Sequence, residues 1–417
     1  MDFGIIFDSA SVFLEALKKV NYPETTITPQ SANAHILVEQ TDEQTLTLTA
    51  YGIDGIWMQQ SIPSTQALVN EKYLILANDI PKITDSIRAK YGLALGRAED
   101  GALTFSSVQG VIEGELNVLD TIVVQEFHGS FDEFGPAQFY EDPQIEISQF
   151  TLAQVLQLMY DFGGFAQSKE LRGVYLVVEK GVASFYTNQY FNPNYCFRIS
   201  VPCVCEGEFE FIFNARQFKA IQSCLDPKKK EGVATLAISG DEVTVTGLNG
   251  RVTVKTLSLE RFLILTHAPH NFVDDPRIEQ VGYRTVLLDR MMEAIEAQKP
   301  TKDHQGKALK IQSEEDHLII SKLADARLRE HSFVPVLTLE ERKTSFPTLA
   351  YTASAMIQVL KTLKAVQVKE GVGSIAIQLR VIKAGTRYGL YAALVNETPF
   401  GEYEILAAVT EPREGDI

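Results

Sequence analysis

Two groups of side chains in this sequence have the elements of metal-binding chemistry. His267 and His270 lie beside the acidic pair 274–275, and Cys203 and Cys205 are separated by one residue. The histidine spacing fits no helix face, and a zinc site on the two thiols would need a second pair of ligands that the sequence does not supply. We therefore expect no metal and no other cofactor, and we interpret Cys203 and Cys205 as small residues on one face of a strand.

The motifs of nucleotide-binding and hydrolytic enzymes are missing from the sequence. It contains no G-x-x-x-x-G-K-[ST], no G-x-G-x-x-G after a strand, no G-x-S-x-G and no H-E-x-x-H. We therefore expect a protein that is not an enzyme. An enzyme with an unrecognised site near the two histidines is the alternative that these absences leave open.

The charge of the chain is strongly acidic, with 54 acidic and 38 basic side chains among 417 residues and a net charge of −16. A negative total argues against nucleic acid, but a phosphate backbone responds only to the charges that face it. The N-terminus shows no signal-peptide pattern, and the apolar stretches are too short to span a membrane. With four cysteines in such a chain, we expect reduced thiols, a cytoplasmic location and no membrane partner.

One pattern returns six times along the chain: a short apolar strand, an amphipathic helix of about three turns, and three alternating strands. The six repeats begin near Phe3, Tyr73, Ile145, Phe209, Tyr283 and Leu349. Two stretches rich in proline, glycine and acidic residues, at 127–144 and 266–282, separate the repeats into pairs.

Pairing the repeats predicts three tandem, similar domains at residues 1–130, 143–265 and 280–417. Each domain has about eight antiparallel strands and two helices, so the fold class is α+β, with the helices covering one face of the sheets. The alternative is three unrelated α+β domains.

The order of these elements is similar to that of the bacterial DNA sliding clamp family, the β subunit of DNA polymerase III, over nearly the whole chain. Three stretches carry the resemblance: 13–20 with 33–39, 46–50 and Asp54; 213–218 with 236–239, 243–245 and Arg251; and 349–363, where Tyr351 and Ser354 begin the last helix. The resemblance lies in pattern and order more than in identical residues.

The resemblance implies a ring formed on oligomerisation, a homodimer of two chains arranged head to tail, with helices lining the hole and sheets forming the outer wall. Such a ring encircles double-stranded DNA without reading its sequence and tethers the replicative polymerase for processive synthesis, with the clamp loader as a further partner. The alternative is a clamp-like scaffold that serves a non-replicative partner.

The resemblance also implies lysines and arginines on the hole-facing side of the helices, where they meet phosphates. The DNA-binding candidates are Lys18, Lys82, Arg88, Lys90, Lys219, Lys361 and Lys364, together with Arg172 in a loop before a strand. The third helix has Gln154 and Gln157 instead of cations. Because lysines are common on the polar face of any surface helix, ordinary solvated cations are the alternative.

Members of the family have an apolar pocket that accepts short peptides from polymerases and the clamp loader. The matching positions are Thr187, Tyr190, Phe191, Val409, Pro412 and Arg413. After Thr187 the family has aspartate, glycine, histidine and arginine, which residues 188–191 replace here, and the C-terminus lacks the family's methionines. Ordinary strand core is the alternative interpretation of these positions.

Overall fold

The structure is a computed structural model that describes most of the chain. The described residues are 2–20, 35–42, 44–51, 56–64, 66–67, 72–112, 115–126, 138–163, 173–189, 192–257, 278–298, 308–322, 331–337, 344–367, 375–384, 387–394 and 405–410. They belong to two compact units, Met1–Phe150 with Arg216–Thr256, and Thr151–Ala215 with Leu257–Ile417.

In the described residues, the first two repeats and the start of the third contain ten strands and two helices. In chain order these are β1 (Asp2–Phe7), α1 (Ala10–Val20), β2 (His35–Asp42), β3 (Thr45–Tyr51), β4 (Trp57–Pro63), β5 (Gln66–Ala67), β6 (Lys72–Leu76), α2 (Ile80–Ser86), β7 (Gly92–Arg97), β8 (Leu103–Ile112), β9 (Glu115–Val124) and β10 (Pro143–Ser148). A 3-10 turn at Ala77–Asp79 leads into α2.

The rest of the chain continues the same pattern through the remaining repeats. In chain order these elements are α3 (Gln149–Gly163), β11 (Gly173–Glu179), β12 (Val182–Gln189), β13 (Asn192–Pro202), β14 (Val204–Cys205), β15 (Phe209–Asn214), α4 (Ala215–Cys224), β16 (Val233–Ser239), β17 (Glu242–Gly247), β18 (Gly250–Lys255), β19 (Ile278–Leu287), α5 (Leu288–Ala297), β20 (Ala308–Ser313), β21 (His317–Lys322), β22 (Ser332–Pro335), β23 (Leu349–Thr352), α6 (Ala353–Gln367), β24 (Ala376–Ala384), β25 (Arg387–Leu394) and β26 (Ile405–Thr410).

The first compact unit contains two antiparallel sheets, one in the order β5-β1-β7-β8-β9 and one that includes β10-β16-β17-β18-β4-β3-β2-β6. The i, i+4 spacing of Phe13 and Leu17 places both on the buried face of α1. The ring of Phe13 lies 6.2 Å from that of Phe105 on β8, and Ile80 and Ile83 of α2 join the same core. The helices therefore cover the inner faces of the sheets, as the apolar stripes predicted.

The second compact unit also contains two antiparallel sheets, in the orders β15-β11-β12-β13-β26-β25-β24-β19 and β22-β21-β20-β23. Helices α5 and α6 pack against each other. Met291 and Ile295 of α5 are fully buried, as are Leu360 and Leu363 of α6. The predicted apolar stripes of these helices thus form part of the core.

The first strands are exchanged within each pair of repeats. Strand β1 of the first repeat pairs with β7 of the second, and β6 of the second pairs with β2 of the first. The same exchange joins β10 to β16 and β15 to β11, and it joins β19 to β24 and β23 to β20. Each repeat therefore has the predicted order of elements, but its first strand belongs to the sheet of its neighbour.

The described part of the chain contains no helix that is long and apolar enough to cross a membrane. Among the same residues, no three histidine, cysteine, aspartate or glutamate side chains come together in a group that could hold a metal ion. His267 and His270 lie outside the described residues.

Candidate nucleic-acid interface and sheet edges

Lys18 lies in the last turn of α1, on the solvent side of the helix. Phe13, Leu14 and Leu17 are buried, whereas Lys18 is exposed and Lys19 is half-buried. A cation in this turn is favoured by the negative end of the helix dipole. Because Lys18 is exposed to solvent, a phosphate can reach its ammonium group without any rearrangement of the helix.

Lys82 and Arg88 connect α2 and the turn after it to strand β9. The Lys82 Nζ atom donates a hydrogen bond to the carbonyl of Val123 at 2.9 Å, and the Arg88 Nε atom lies 3.5 Å from Asp120 Oδ2. Both cations are exposed, and exposed ion pairs contribute at most about 1 kcal/mol. A phosphate can therefore compete with Asp120 for Arg88.

Lys90, Lys219 and Lys361 differ in their exposure. Lys90 is exposed, and its Nζ atom lies 4.9 Å from the centre of the Tyr91 ring. Lys361 is exposed on α6, whereas Lys219 is half-buried on α4 beside the buried Phe218. Lys90 and Lys361 thus present more of their side chains to solvent than Lys219 does.

Lys364 has a partner that the sequence pattern did not indicate. Its Nζ atom donates a hydrogen bond to Asp289 Oδ1 at 2.7 Å. This pair joins the last turn of α6 to the first turn of α5, and each charge is favoured by the dipole of its own helix. Lys364 therefore links the two helices, and it is less available than Lys361, the other predicted cation on α6.

Helix α3 has no lysine or arginine, as the sequence indicated. The structure divides its two predicted polar residues, because Gln157 is exposed while Gln154 is buried. The expected polar face of α3 is therefore narrower than the sequence suggested. Arg172 lies outside the described residues, and its role stays a prediction.

The structure brings two of the predicted pocket positions into one sheet. Thr187 on β12 pairs with Phe197 on β13, which pairs in turn with Ala407 on β26. Val409 lies two residues further along β26, opposite Leu390. Both predicted positions are thus in one sheet of the second compact unit, on strands that are separated by β13. Tyr190, Phe191, Pro412 and Arg413 lie outside the described residues, so the pocket stays a prediction.

Strands β4 and β18 form a junction between the first and fourth repeats through three residue pairs. The Arg251 Nε atom donates a hydrogen bond to Gln59 Oε1 at 2.7 Å across it. The backbones approach closely at Gly250, where φ is +142° and an added Cβ would lie 2.2 Å from the Gln59 carbonyl oxygen. Only glycine fits this position without moving β4.

A second junction of the same kind lies in the second compact unit. Strand β13 of the third repeat pairs with β26 of the sixth, again through three residue pairs. Both junctions join the fourth strand of an odd-numbered repeat to the fourth strand of an even-numbered repeat. Main-chain hydrogen bonds therefore connect pairs of repeats into continuous sheets.

The segment 138–142, which falls in a predicted linker, lies along β17. The Tyr140 amide donates to Thr244 Oγ1 at 3.0 Å, and the Tyr140 hydroxyl donates to Glu242 Oε2 at 2.7 Å. The bond to Glu242 raises the pKa of Tyr140 because only the protonated phenol can donate it. This part of the linker is therefore held by specific contacts with the sheet.

Two fourth strands, β9 and β22, are the outer strands of their sheets in the described part of the chain. Val118, Leu119 and Val123 of β9 are exposed, and Phe333 of β22 is 60% exposed. Proteins usually cover, shorten or charge such edges, because an open edge pairs with any other strand. Neither edge was predicted from the sequence.

No protein-family model matches this sequence, and no curated protein matches it. Solved structures do match it over almost its full length. The DNA polymerase sliding clamp of Bacillus subtilis is 14% identical, with 99% of this chain and 100% of that chain covered and a TM-score of 0.69. A putative DNA polymerase III β subunit of Eubacterium rectale is 11% identical, with 98% and 99% covered and a TM-score of 0.69.

A third match shows a clamp with a bound peptide. The Helicobacter pylori β clamp bound to a DNA ligase peptide is 14% identical, with 98% of this chain and 99% of that chain covered and a TM-score of 0.64. These likenesses show that the chain has the fold of the bacterial sliding clamp. They confirm the predicted α+β fold class and the resemblance to the sliding clamp family.

Proposed function

We propose that this protein is a DNA sliding clamp, a ring of two chains that encircles double-stranded DNA and tethers a polymerase for processive synthesis. It acts in the cytoplasm as a non-catalytic subunit, and its partners are the duplex, a polymerase and a clamp loader. The observation that carries the proposal is a regularity in strand pairing. The fourth strand of one repeat pairs with the fourth strand of another repeat.

Within one chain, this pairing rule connects the first and third repeats each to the repeat three places later, and it leaves the fifth repeat without such a partner. Strand β4 of the first repeat pairs with β18 of the fourth, and β13 of the third pairs with β26 of the sixth. The fifth repeat, with β22, then requires the second repeat of another chain, with β9. Since β22 and β9 are different surfaces, the contact is head to tail, and it gives a ring when the rotation closes.

The same rule supports three domains, at residues 1–130, 143–265 and 280–417. First strands are exchanged between the first and second repeats, the third and fourth, and the fifth and sixth. Fourth strands instead connect one pair of repeats to the next. Exchange within pairs and junctions between pairs are the arrangement that three similar domains in tandem require.

The surfaces of β9 and β22 suit the proposed contact. Phe333 of β22 and Val118, Leu119 and Val123 of β9 are exposed in one chain. Pairing these strands between two chains buries their apolar side chains and satisfies the free backbone groups of both edges. The ring thus removes the two open edges at once.

The exposed lysines on and beside the helices suit a clamp that slides along a duplex. Lys18, Lys90 and Lys361 are exposed on or beside helices, although the chain as a whole carries a net charge of −16. Contacts from flexible lysines to phosphates give affinity without reading bases. A ring with few such contacts holds DNA by topology and leaves it free to move.

A clamp-like scaffold for a non-replicative partner is the second candidate. It is favoured by the sequence at 188–191, which departs from the family pattern beside the predicted peptide pocket. A pull-down with the whole protein distinguishes the two, because the clamp recovers a polymerase or a loader subunit and the scaffold recovers neither.

The mass in solution tests the ring. We expect light scattering to give twice the 46.4 kDa of one chain over a range of concentrations. A mass of 46.4 kDa at every concentration would contradict a ring of two chains, whatever the protein binds.

A further inference from the structure

Lys82 is held at the open edge of the sheet that contains β9. Its Nζ atom donates a hydrogen bond to the Val123 carbonyl at 2.9 Å, and the side chain is exposed. Strand β9 is the outer strand of this sheet in the described part of the chain. A main-chain carbonyl on such an edge is available to any other strand, so a lysine that occupies it alters what the edge can bind.

The Val123 carbonyl points away from the sheet, because main-chain groups alternate between the two sides of a strand. The Ala98 amide donates to the Ala102 carbonyl at 2.9 Å, which directs the main chain of Ala102 to β7 and that of the odd-numbered Phe105 to β9. Ile122 lies opposite Phe105 and therefore faces β8. The next residue, Val123, presents its amide and its carbonyl to the open side.

Strand β18 shows what the same position does where the edge is occupied. Ile122 of β9 corresponds to Val252 of β18, because each is the fourth member of a row of paired residues that crosses its sheet and begins just after an irregularity of the first strand. The rows are Ile5, Leu95, Phe105 and Ile122 in one sheet, and Ile145, Leu236, Val245 and Val252 in the other. Val123 therefore corresponds to Thr253, which pairs with Trp57 of β4.

The main chain of Thr253 takes part in that junction. The Thr256 amide donates to the Asp241 carbonyl at 2.7 Å, so the even-numbered residues of β18 face β17 and Thr253 faces β4. The carbonyl that Lys82 occupies on β9 is thus the counterpart of one that faces a neighbouring strand at β18.

We propose that Lys82 is an exchangeable cap on β9, which holds the Val123 carbonyl while the chain is alone and releases it to β22 of a second copy. The inference rests on the proposed ring, and it adds a residue that protects the ring-closing edge before the ring forms. A lysine on an edge strand opposes pairing with unrelated strands. Exchange is possible because an exposed hydrogen bond of this kind changes an equilibrium constant by only about two- to threefold.

Strand β22 offers a donor that can replace the ammonium group. The Val336 amide donates to the Asp316 carbonyl at 2.9 Å, so the alternate residues Phe333 and Pro335 direct their main chains away from β21. Proline has no amide, so Phe333 is the residue of β22 whose N–H faces the open side. In the ring, a main-chain amide of the second copy takes the place of the Lys82 ammonium, which is then released to solvent.

The experiment measures the dissociation constant of the dimer without DNA, by mass photometry across a dilution series, for the full-length protein and its variants. Lys82→Met removes the cap, and Lys82→Arg keeps a donor. Lys229→Met is the control, because it makes the same change of charge in an exposed loop of the same compact unit. We expect Lys82→Met to lower the dissociation constant by about fivefold relative to Lys229→Met, since a ring of two chains has two such edges. Lys82→Arg should stay close to the native value.

The outcomes separate this inference from the ring on which it rests. A dissociation constant for Lys82→Met that equals or exceeds that of Lys229→Met would overturn the cap and leave the ring in place. An equally tightened dimer in Lys82→Arg would also overturn the cap, because that variant keeps the donor. A native chain that is monomeric at every concentration would overturn the ring and the cap together.

Discussion

Arg251 donates a hydrogen bond from its Nε atom to the side-chain oxygen of Gln59, 2.7 Å away, across the junction between β18 and β4. The same guanidinium lies 4.3 Å from the centre of the Phe139 ring and 3.5 Å from Glu141 Oε1. One side chain of the fourth repeat therefore contacts the first repeat and the segment 138–142. This arrangement depends on the close approach of the two strands.

Replacing Gly250 by alanine tests that approach. We expect Gly250→Ala to lower the free energy of unfolding by about 1–3 kcal/mol, because the new Cβ would collide with the Gln59 carbonyl and the backbone is in a region that favours glycine. The matched control is Gly240→Ala, which also has a positive φ but has open space around its Cβ position. Guanidinium unfolding should show a distinctly larger loss for Gly250→Ala, and equal losses would contradict the collision.

The head-to-tail contact predicts a specific result when two variants are mixed. We expect Val118→Lys on β9 and Phe333→Lys on β22 each to convert the dimer to a monomer in light scattering, because each places a charge in the proposed contact. Mixing the two variants should restore a dimer, since one junction then combines an intact β9 with an intact β22.

The mixing experiment has a matched control variant and one outcome that would contradict the head-to-tail contact. Leu248→Lys alters a side chain that is similarly exposed but lies in a turn, and it should leave the dimer unchanged. A two-fold contact of β9 with β9 would leave Phe333→Lys dimeric, and the mixture would then show no recovery.

The exposed lysines predict a change in the salt dependence of DNA binding. We expect the Lys18→Gln, Lys361→Gln double variant to bind closed circular DNA more weakly and to reduce the slope of log affinity against log salt by about 0.9 for each phosphate that the protein no longer neutralises. Lys180→Gln, in the turn between β11 and β12, is the control. An unchanged slope in the double variant would show that these two lysines do not face DNA.

The buried thiol of Cys224 predicts a loss of stability in alkali. Burial raises its pKa from 9.0 to about 12, so the folded state retains a proton that the unfolded state loses. Its contribution is complete below about pH 9 and is lost as pH rises towards 12. Between about pH 8 and about pH 10, the free energy of unfolding of the native chain should fall by about 1 kcal/mol more than that of Cys224→Ala. Equal losses would contradict the shift.

The local pattern of the sequence predicted the elements well. Phe13 and Leu17 are buried on one face of α1, strand β3 spans Thr45–Tyr51 as its alternation indicated, and Lys180 and Gly181 both have positive φ in the predicted turn. These features depend on residues that are close in sequence. They are therefore visible in the period of the apolar positions and in the turn residues.

Long-range partners were not predictable in the same way. An apolar first strand fits either sheet of its pair of repeats, so its alternation did not reveal the exchange of β1 and β6. Likewise, nothing near Lys364 in sequence indicated Asp289 as its partner. The sequence does contain one regularity that distinguishes odd-numbered from even-numbered repeats. The fourth strand of each odd-numbered repeat ends in proline, at Pro63, Pro202 and Pro335.

The most direct test of a ring is its retention on DNA of different topology. The protein would be loaded onto nicked circular DNA with a loader from the same source, passed through a sizing column in high salt, and compared before and after the circle is cut once. We predict that the protein stays with the circle, because topology holds it when salt screens the lysines, and that it leaves after cutting. Equal retention on the circular and cut forms, or loss from both, would contradict the account of this protein as a sliding clamp.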